Sequence, residues 1–169
     1  MFDQLTVRDV IAWNALMTGY VDCGTGNQAV NCFEQMEREG IQPNVVTYVG
    51  VLKACSTINA TDKGIKIHDK VLKEGLLEKN MSICNALVDM YMKCGILTKA
   101  QELFDQMLIH DKVSWNTLIS GYAQHEYGEE AVKFYENMQR EGFPPDEITC
   151  VCILKACGSV GADNKGKQI

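Results

Sequence analysis

No apolar run in the sequence approaches the roughly 20 residues that a bilayer crossing requires, which predicts a soluble chain. Proline is scarce, with three in 169 residues, and the 14 glycines never occur in pairs. That excludes a Pro-rich or Gly-rich linker and a collagen-like fibre. No stretch alternates apolar and polar residues between turn signals, so no sheet is expected. The eight cysteines include no C-x-x-C pair. They read as reduced thiols used as small hydrophobes rather than as a disulfide or zinc framework. Positive charge is also in short supply: 16 basic against 22 acidic residues leave a net charge of −6. A generally basic, phosphate-gripping surface is excluded, and any nucleic-acid partner must be held in a local groove. The opening residues, MFDQLTVRD, have neither the basic and apolar regions of a secretory signal nor the Arg- and Ser-rich character of a transit peptide.

Patterns that carry chemistry are missing too. No H-x-E followed by P-C-x-x-C is present, so a zinc deaminase is not encoded here. There is no Ser/His/Asp arrangement and no carboxylate pair suited to acid–base work. Gly161-x4-Gly166-Lys167 resembles a phosphate-binding loop, but Gln168 replaces the hydroxyl residue that would hold Mg²⁺, and the segment is expected between two helices. Cys150-x-Cys152 lacks two further ligands. His68 falls on an apolar helical stripe and reads as a packing residue, while His110 and His125 sit at expected helix ends and read as solvated. Asn59-Ala-Thr61 and Asn80-Met-Ser82 match the glycosylation sequon, which has no meaning without secretion. No catalytic residue, cofactor, metal site or membrane partner is expected, and the chain is read as a non-enzyme.

What the sequence does contain is repetition. Shifted by 102 residues, 28 of its 67 overlapping positions are identical, against about 4 by chance at ordinary residue usage. Trp13-Asn14 returns as Trp115-Asn116, Arg38-Glu39-Gly40 as Arg140-Glu141-Gly142, and Leu52-Lys53-Ala54-Cys55 as Leu154-Lys155-Ala156-Cys157. Shorter units lie inside this period. The motif N-A/T-L-x-x-x-Y begins at Asn14, Asn85 and Asn116. A second helix in each unit carries apolar residues at i, i+3, i+4 and i+7: Ala29/Cys32/Phe33/Met36, Gly64/Ile67/His68/Val71, Ala100/Leu103/Phe104/Met107 and Ala131/Phe134/Tyr135/Met138. Gly40, Gly75 and Gly142 follow where a left-handed helix end is wanted, and Pro43 and Pro145 come shortly after. One helical pair cannot bury its own stripe, so about nine short helices in antiparallel pairs must stack into an all-α superhelical solenoid. Its concave groove is lined by the first helix of each pair.

These units resemble pentatricopeptide repeats of the plant type that alternates P, L and S repeats, through markers such as VIAWNALMTGY, NALVDMYMKCG and GIKIH. A tetratricopeptide array has similar helical-pair physics, but its W-x-x-L-G-x-x-Y pattern is not met. The resemblance divides the chain into residues 1–9 (the tail of an S repeat), 10–44 (P), 45–80 (L), 81–111 (S), 112–146 (P) and 147–169 (a truncated L). It implies sequence-specific binding of single-stranded RNA, about one base per repeat, in an organellar RNA-processing or C-to-U editing factor. Other editing-factor proteins are then implied partners, and the implied location is the mitochondrion or chloroplast.

In the family the fifth and last residues of a repeat choose the base, which implies the pairs Asn14 with Asn44, Asn85 with Asp111, and Asn116 with Asp146. Asn/Asp implies uracil over cytosine and Asn/Asn the reverse, giving a pyrimidine-N-U-U readout. The second residue of a repeat sandwiches the base: Ile11, Val46, Val113 and Ile148, with Ser82 a departure. The L repeats offer only Val49 with Asn80, and Val151, to which no base is assigned. The lysine that meets phosphate in the family is kept only at Lys93, with Asp22, Thr57 and Gln124 in its place elsewhere. The acidic balance and the missing lysines favour the rival function, a protein-interaction scaffold of the tetratricopeptide type. The unfinished last repeat leaves an apolar edge through which self-association is expected.

Overall fold

The computed structural model describes residues 8–166, with side chains for residues 8–158. Among them are nine helices and no strand: α1 (Val10–Asp22), α2 (Gly26–Arg38), α3 (Val45–Thr57), α4 (Thr61–Lys73), α5 (Met81–Lys93), α6 (Leu97–Gln106), α7 (Lys112–Gln124), α8 (Gly128–Arg140) and α9 (Glu147–Gly166). Each helix starts and stops for local reasons. Asp9, Asn44 and Asp111 sit in extended backbone just ahead of α1, α3 and α7, and their side chains accept an N–H from the first turn. At the other end, Gly40 takes φ +74°, and the next N–H, on Ile41, returns to the Met36 carbonyl at 3.1 Å. Such a 6→1 bond satisfies a carbonyl that the helix leaves orphaned. Gly75 and Gly142 do the same with φ of 63° and 84°, as the sequence predicts.

The odd-numbered helices pack side by side in series, α1 on α3, α3 on α5, α5 on α7 and α7 on α9. Each even-numbered helix lies against its own partner and the next odd-numbered helix, while the even-numbered helices barely touch one another. A tight inner row behind a splayed outer row curves the stack, and the odd-numbered helices line its concave face. The expected all-α solenoid is the fold. Its core runs continuously between the rows through Trp13, Tyr48, Leu52, Tyr91, Leu87, Trp115 and Leu118. Close approach is set by small residues: a Cβ on Gly121 would lie 2.8 Å or less from three Met92 side-chain atoms.

The stripes fall mostly where the period puts them, with two shortfalls. Tyr135 is only half-buried, and so is Met107, because α6 has 10 residues where the other even-numbered helices have 13. His68 packs as expected, its Nδ1 2.7 Å from the Tyr91 hydroxyl. The two other histidines are not solvated. His110 stacks on Phe104 at 4.1 Å between centroids and donates from Nε2 to the Phe104 carbonyl. His125 donates from Nε2 to the Met92 carbonyl at 2.6 Å. Each ring adds a second donor to a helix-end carbonyl that already accepts one backbone N–H, from Met107 at Phe104 and from Gly95 at Met92. Among the cysteines, Cys32, Cys55, Cys84 and Cys152 are buried and Cys94 half-buried, but Cys23, Cys150 and Cys157 are exposed.

The last unit also departs from expectation. α9 runs unbroken for 20 residues to Gly166, so Gly161–Gly166 lies within a helix rather than between two. In the corresponding earlier unit Asn59 turns left-handed (φ 53°) and α4 then packs on α5. Residues 1–7, most of the expected S-repeat tail, lie outside the described residues.

Candidate nucleic-acid interface

The fifth residue of three units lands on the inner helix of each, one turn in from the cap of that helix. There Asn14, Asn85 and Asn116 each meet the residue that caps the next inner helix. Asn14 Nδ2 donates to Asn44 Oδ1 at 3.1 Å. Asn85 Nδ2 donates to Asp111 Oδ1 at 3.2 Å. Asn116 Nδ2 reaches both carboxylate oxygens of Asp146 at 3.1 Å. The structure therefore joins the three expected pairs across 26–30 residues of sequence. Asn44, Asp111 and Asp146 are helix caps at the same time: the N–H of Thr47, Ser114 and Thr149 donates to their Oδ1 at 3.0, 2.7 and 3.0 Å. A cap and a groove residue are here one and the same group.

A third residue completes each pair, and it is not among the expected site residues. Thr47 Oγ1 lies 2.7 Å from Asn14 Oδ1, Ser114 Oγ 2.8 Å from Asn85 Oδ1, and Thr149 Oγ1 2.6 Å from Asn116 Oδ1. All three hydroxyl residues are buried, at 0% exposure. The signal was present as N/D-x-x-T/S, a capping box with a hydroxyl in place of the usual Glu or Gln.

Charge and hydrogen bonding decide which atoms remain free. Burial pushes the Asp111 carboxyl up, but the N–H and hydroxyl of Ser114, the Asn85 amide and the Val113 N–H outweigh it and hold it below its ordinary value. The Thr149 N–H does most to lower Asp146; desolvation opposes it, and the Thr149 hydroxyl, the Asn116 amide and Lys112 tip the balance further down. Both are carboxylates at neutral pH and can only accept. Every cap bond to Asn44 falls on its Oδ1, which leaves its Nδ2 as a donor.

The expected sandwiching residues are large apolar side chains in the open. Ile11, Val46, Val113 and Ile148 are 72%, 58%, 58% and 60% exposed. Folding gains nothing from them there, since they bury little area. Ser82, also exposed, breaks the row at α5. Val113 and Ile148 join Asn116, Asp146, Lys93 and Lys112 around a cleft of about 390 Å³ between α5, α7 and α9. Lys93 is exposed and pairs with Asp89 at 2.8 Å, so its charge is shared. Lys112 is a second cation at this cleft and was not foreseen, because it opens a helix rather than closing one.

The positions expected to fall in L repeats are built differently. Val49 is half-buried and Val151 exposed. Asn80 makes no cap bond and donates instead to the Leu76 carbonyl at 3.1 Å, while Ile83 is buried where α3, α7 and α9 place a hydroxyl. Among the described residues no cluster of His, Cys, Asp or Glu could hold a metal ion, and no helix is long and apolar enough to cross a membrane.

Comparison with known proteins accords with this geometry. The model of the PPR repeat family matches residues 8–57 and 110–159, and that of the PPR repeat residues 82–111. The Arabidopsis thaliana pentatricopeptide repeat-containing protein At3g16610 is 41% identical over 168 residues, 99% of this chain and 26% of that protein. The chloroplastic pentatricopeptide repeat-containing protein CRR2 of the same plant is 39% identical over 171 residues, again across 26% of its length. The chain thus spans about a quarter of these relatives. Among solved structures, the pentatricopeptide repeat protein PPR10 in complex with an 18-nt psaJ RNA element superposes with a TM-score of 0.76 at 21% identity, over 89% of this chain and 22% of that one. With family models covering most of its length and its helices stacked in the same solenoid, the chain belongs to the pentatricopeptide repeat family.

Proposed function

We propose that the chain is a sequence-specific single-stranded RNA-binding array of the P, L and S type, with the repeat boundaries given by the sequence, within an organellar RNA-processing or C-to-U editing factor. The observation that carries this reading is the threefold recurrence of an inner-helix Asn hydrogen-bonded to the next helix cap, beside exposed Ile or Val. The RNA held by PPR10 and the chloroplastic and mitochondrial names among the relatives support it. The chemistry agrees with the readout. After capping, Asn44 has a donor left, which suits the N3 acceptor of cytosine; Asp111 and Asp146 have acceptors, which suit the N3–H of uracil. Ile11, Val46, Val113 and Ile148 stack on base faces. Val49, Asn80 and Val151 are left unassigned. Lys93, despite its pairing with Asp89, takes phosphate.

Fluorescence anisotropy with a short RNA carrying pyrimidine-N-U-U, against purines at those positions and at two salt concentrations, tests the proposal. A pyrimidine preference that survives added salt is the expected result. Replacing Asn116 and Asp146 by Ala is expected to weaken the preference for U at one base by about 1–3 kcal/mol. Equal binding of both RNAs by the native chain would sink base reading. The net charge of −6 favours a second reading, a protein-binding scaffold, which predicts no RNA affinity at either salt.

A further inference from the structure

We propose that Thr47, Ser114 and Thr149 are specificity-determining positioning residues, each locking the amide of a groove Asn in one orientation. This rests on the base-reading function above and adds to it the residue that decides which way each amide faces. A hydroxyl has one proton. It lies closer to the Asn oxygen than to the cap oxygen in all three units: 2.7 against 3.0 Å at Thr47, 2.8 against 2.9 Å at Ser114, and 2.6 against 3.0 Å at Thr149. The same oxygen accepts the backbone N–H of Asn44, Asp111 or Asp146 at 3.1, 3.2 and 3.1 Å. That bond fixes the hydroxyl on the helix cap and turns its proton toward the Asn. The Asn carbonyl is thereby held on the hydroxyl, and the amide presents its second N–H to a ligand.

The chain contains its own contrast. Where the fifth residue is Val49 rather than Asn, the corresponding third position is Ile83, with no hydroxyl, and the last residue Asn80 does not cap α5. Where a groove Asn is present, at 14, 85 and 116, hydroxyl and cap accompany it; Asp9 caps α1 with Ala12 in the third position, so a cap alone does not require the hydroxyl. The lock matters most at Asn14. Its partner Asn44 is another amide, with no fixed charge to hold the Asn14 N–H, whereas Asp111 and Asp146 are carboxylates that orient Asn85 and Asn116 by themselves. If Asn14 turned over, its oxygen would face the groove and its preference between donor and acceptor would reverse.

The test compares binding of RNAs with C or U at the base facing Asn14 and Asn44. Thr47→Val removes the hydroxyl at constant shape, and Thr47→Ser restores it. The expected result is a C-over-U ratio lowered about 3- to 10-fold in Thr47→Val, the worth of one hydrogen bond. The ratio should be recovered in Thr47→Ser and unchanged at the base facing Asn116 and Asp146. Ser114→Ala, read at its own base, is expected to change discrimination less, and it stands in if Thr47→Val does not fold by circular dichroism. A folded Thr47→Val with the native ratio overturns the proposal while base reading stands, provided Asn14→Ala abolishes that ratio. Absence of any C/U preference in the native chain overturns both.

Discussion

At the scale of single residues, Asn44, Asp111 and Asp146 show how one side chain can cap a helix and hold a groove asparagine at once. Asn14, Asn85 and Asn116 stand in a repeated motif, and the family resemblance implied their pairing with Asn44, Asp111 and Asp146; the hydrogen bonds that join the pairs across a whole unit became visible only in three dimensions. The hydroxyls of Thr47, Ser114 and Thr149 were overlooked because Thr and Ser near a helix start look like ordinary capping residues. Burial also sets a pH response away from the groove. Burial lowers the pKa of His68 from its ordinary 6.5, with Lys99 adding to the effect against Asp69. Desolvation pushes Tyr91 up to about 12, so it stays a phenol and can donate to an unprotonated Nδ1. Because the folded state prefers neutral His68, the unfolded chain takes up the proton first as pH falls below 6.5. Stability is therefore full above that value and declines on acidification, by at most about 1.4 kcal/mol per pH unit for one proton. Thermal unfolding between pH 7 and 5 is expected to show this slope and His68→Gln to flatten it; an equal slope in the variant would assign the response to other groups.

At the scale of elements, caps and left-handed ends were readable, whereas helix lengths depended on packing. α6 stops three residues short of its counterparts, so Met107 leaves the stripe; a stripe read by spacing alone cannot see that. The glycines opening or lining the helices differ in what they touch. A Cβ on Gly26 would lie 2.9 Å from the Ala54 carbonyl oxygen and 2.7 Å from Ile58 Cγ2, and a backbone atom cannot swing aside. On Gly64 the nearest atoms, at 2.5 and 2.7 Å, are the Sδ and Cε of Met90, the adaptable end of a flexible side chain. Gly26→Ala is expected to cost about 1–3 kcal/mol of stability. Gly64→Ala should stay within about 1 kcal/mol, since alanine's helix propensity offsets the rearrangement. Denaturant titration of both variants measures the difference, and equal losses would count against backbone contact as the cause.

At the scale of the whole molecule, stability is a sum over units and the interfaces between neighbours. The repeat of Leu-Lys-Ala-Cys makes this visible. Leu52 and Cys55 are fully buried beneath the neighbouring unit, while Leu154 is 73% exposed and Cys157 is also open. A Leu side chain withheld from burial forgoes about 1.5–3 kcal/mol, which a second copy covering the α9 face would recover. Self-association that grows with protein concentration is the expected outcome in sedimentation, reduced by Leu154→Glu. A monomer at every concentration would show that this face needs no cover. Leu52→Glu, in contrast, places a charge in the core and is expected to unfold the array.

Periodicity alone settled the helical pairs, the stacked architecture and most of the buried stripes, because each follows from local spacing and from a repeat long enough to compare with itself; the six paired groove residues came from the family resemblance. Tertiary structure decided the rest. It set His110 and His125 against helix-end carbonyls, kept α9 unbroken to Gly166, paired Lys93 with Asp89 and brought Lys112 to the same cleft. The physical reason is common to all of these: burial and hydrogen bonding in a solenoid are properties of the neighbouring unit, and a residue's own sequence context does not contain its neighbour.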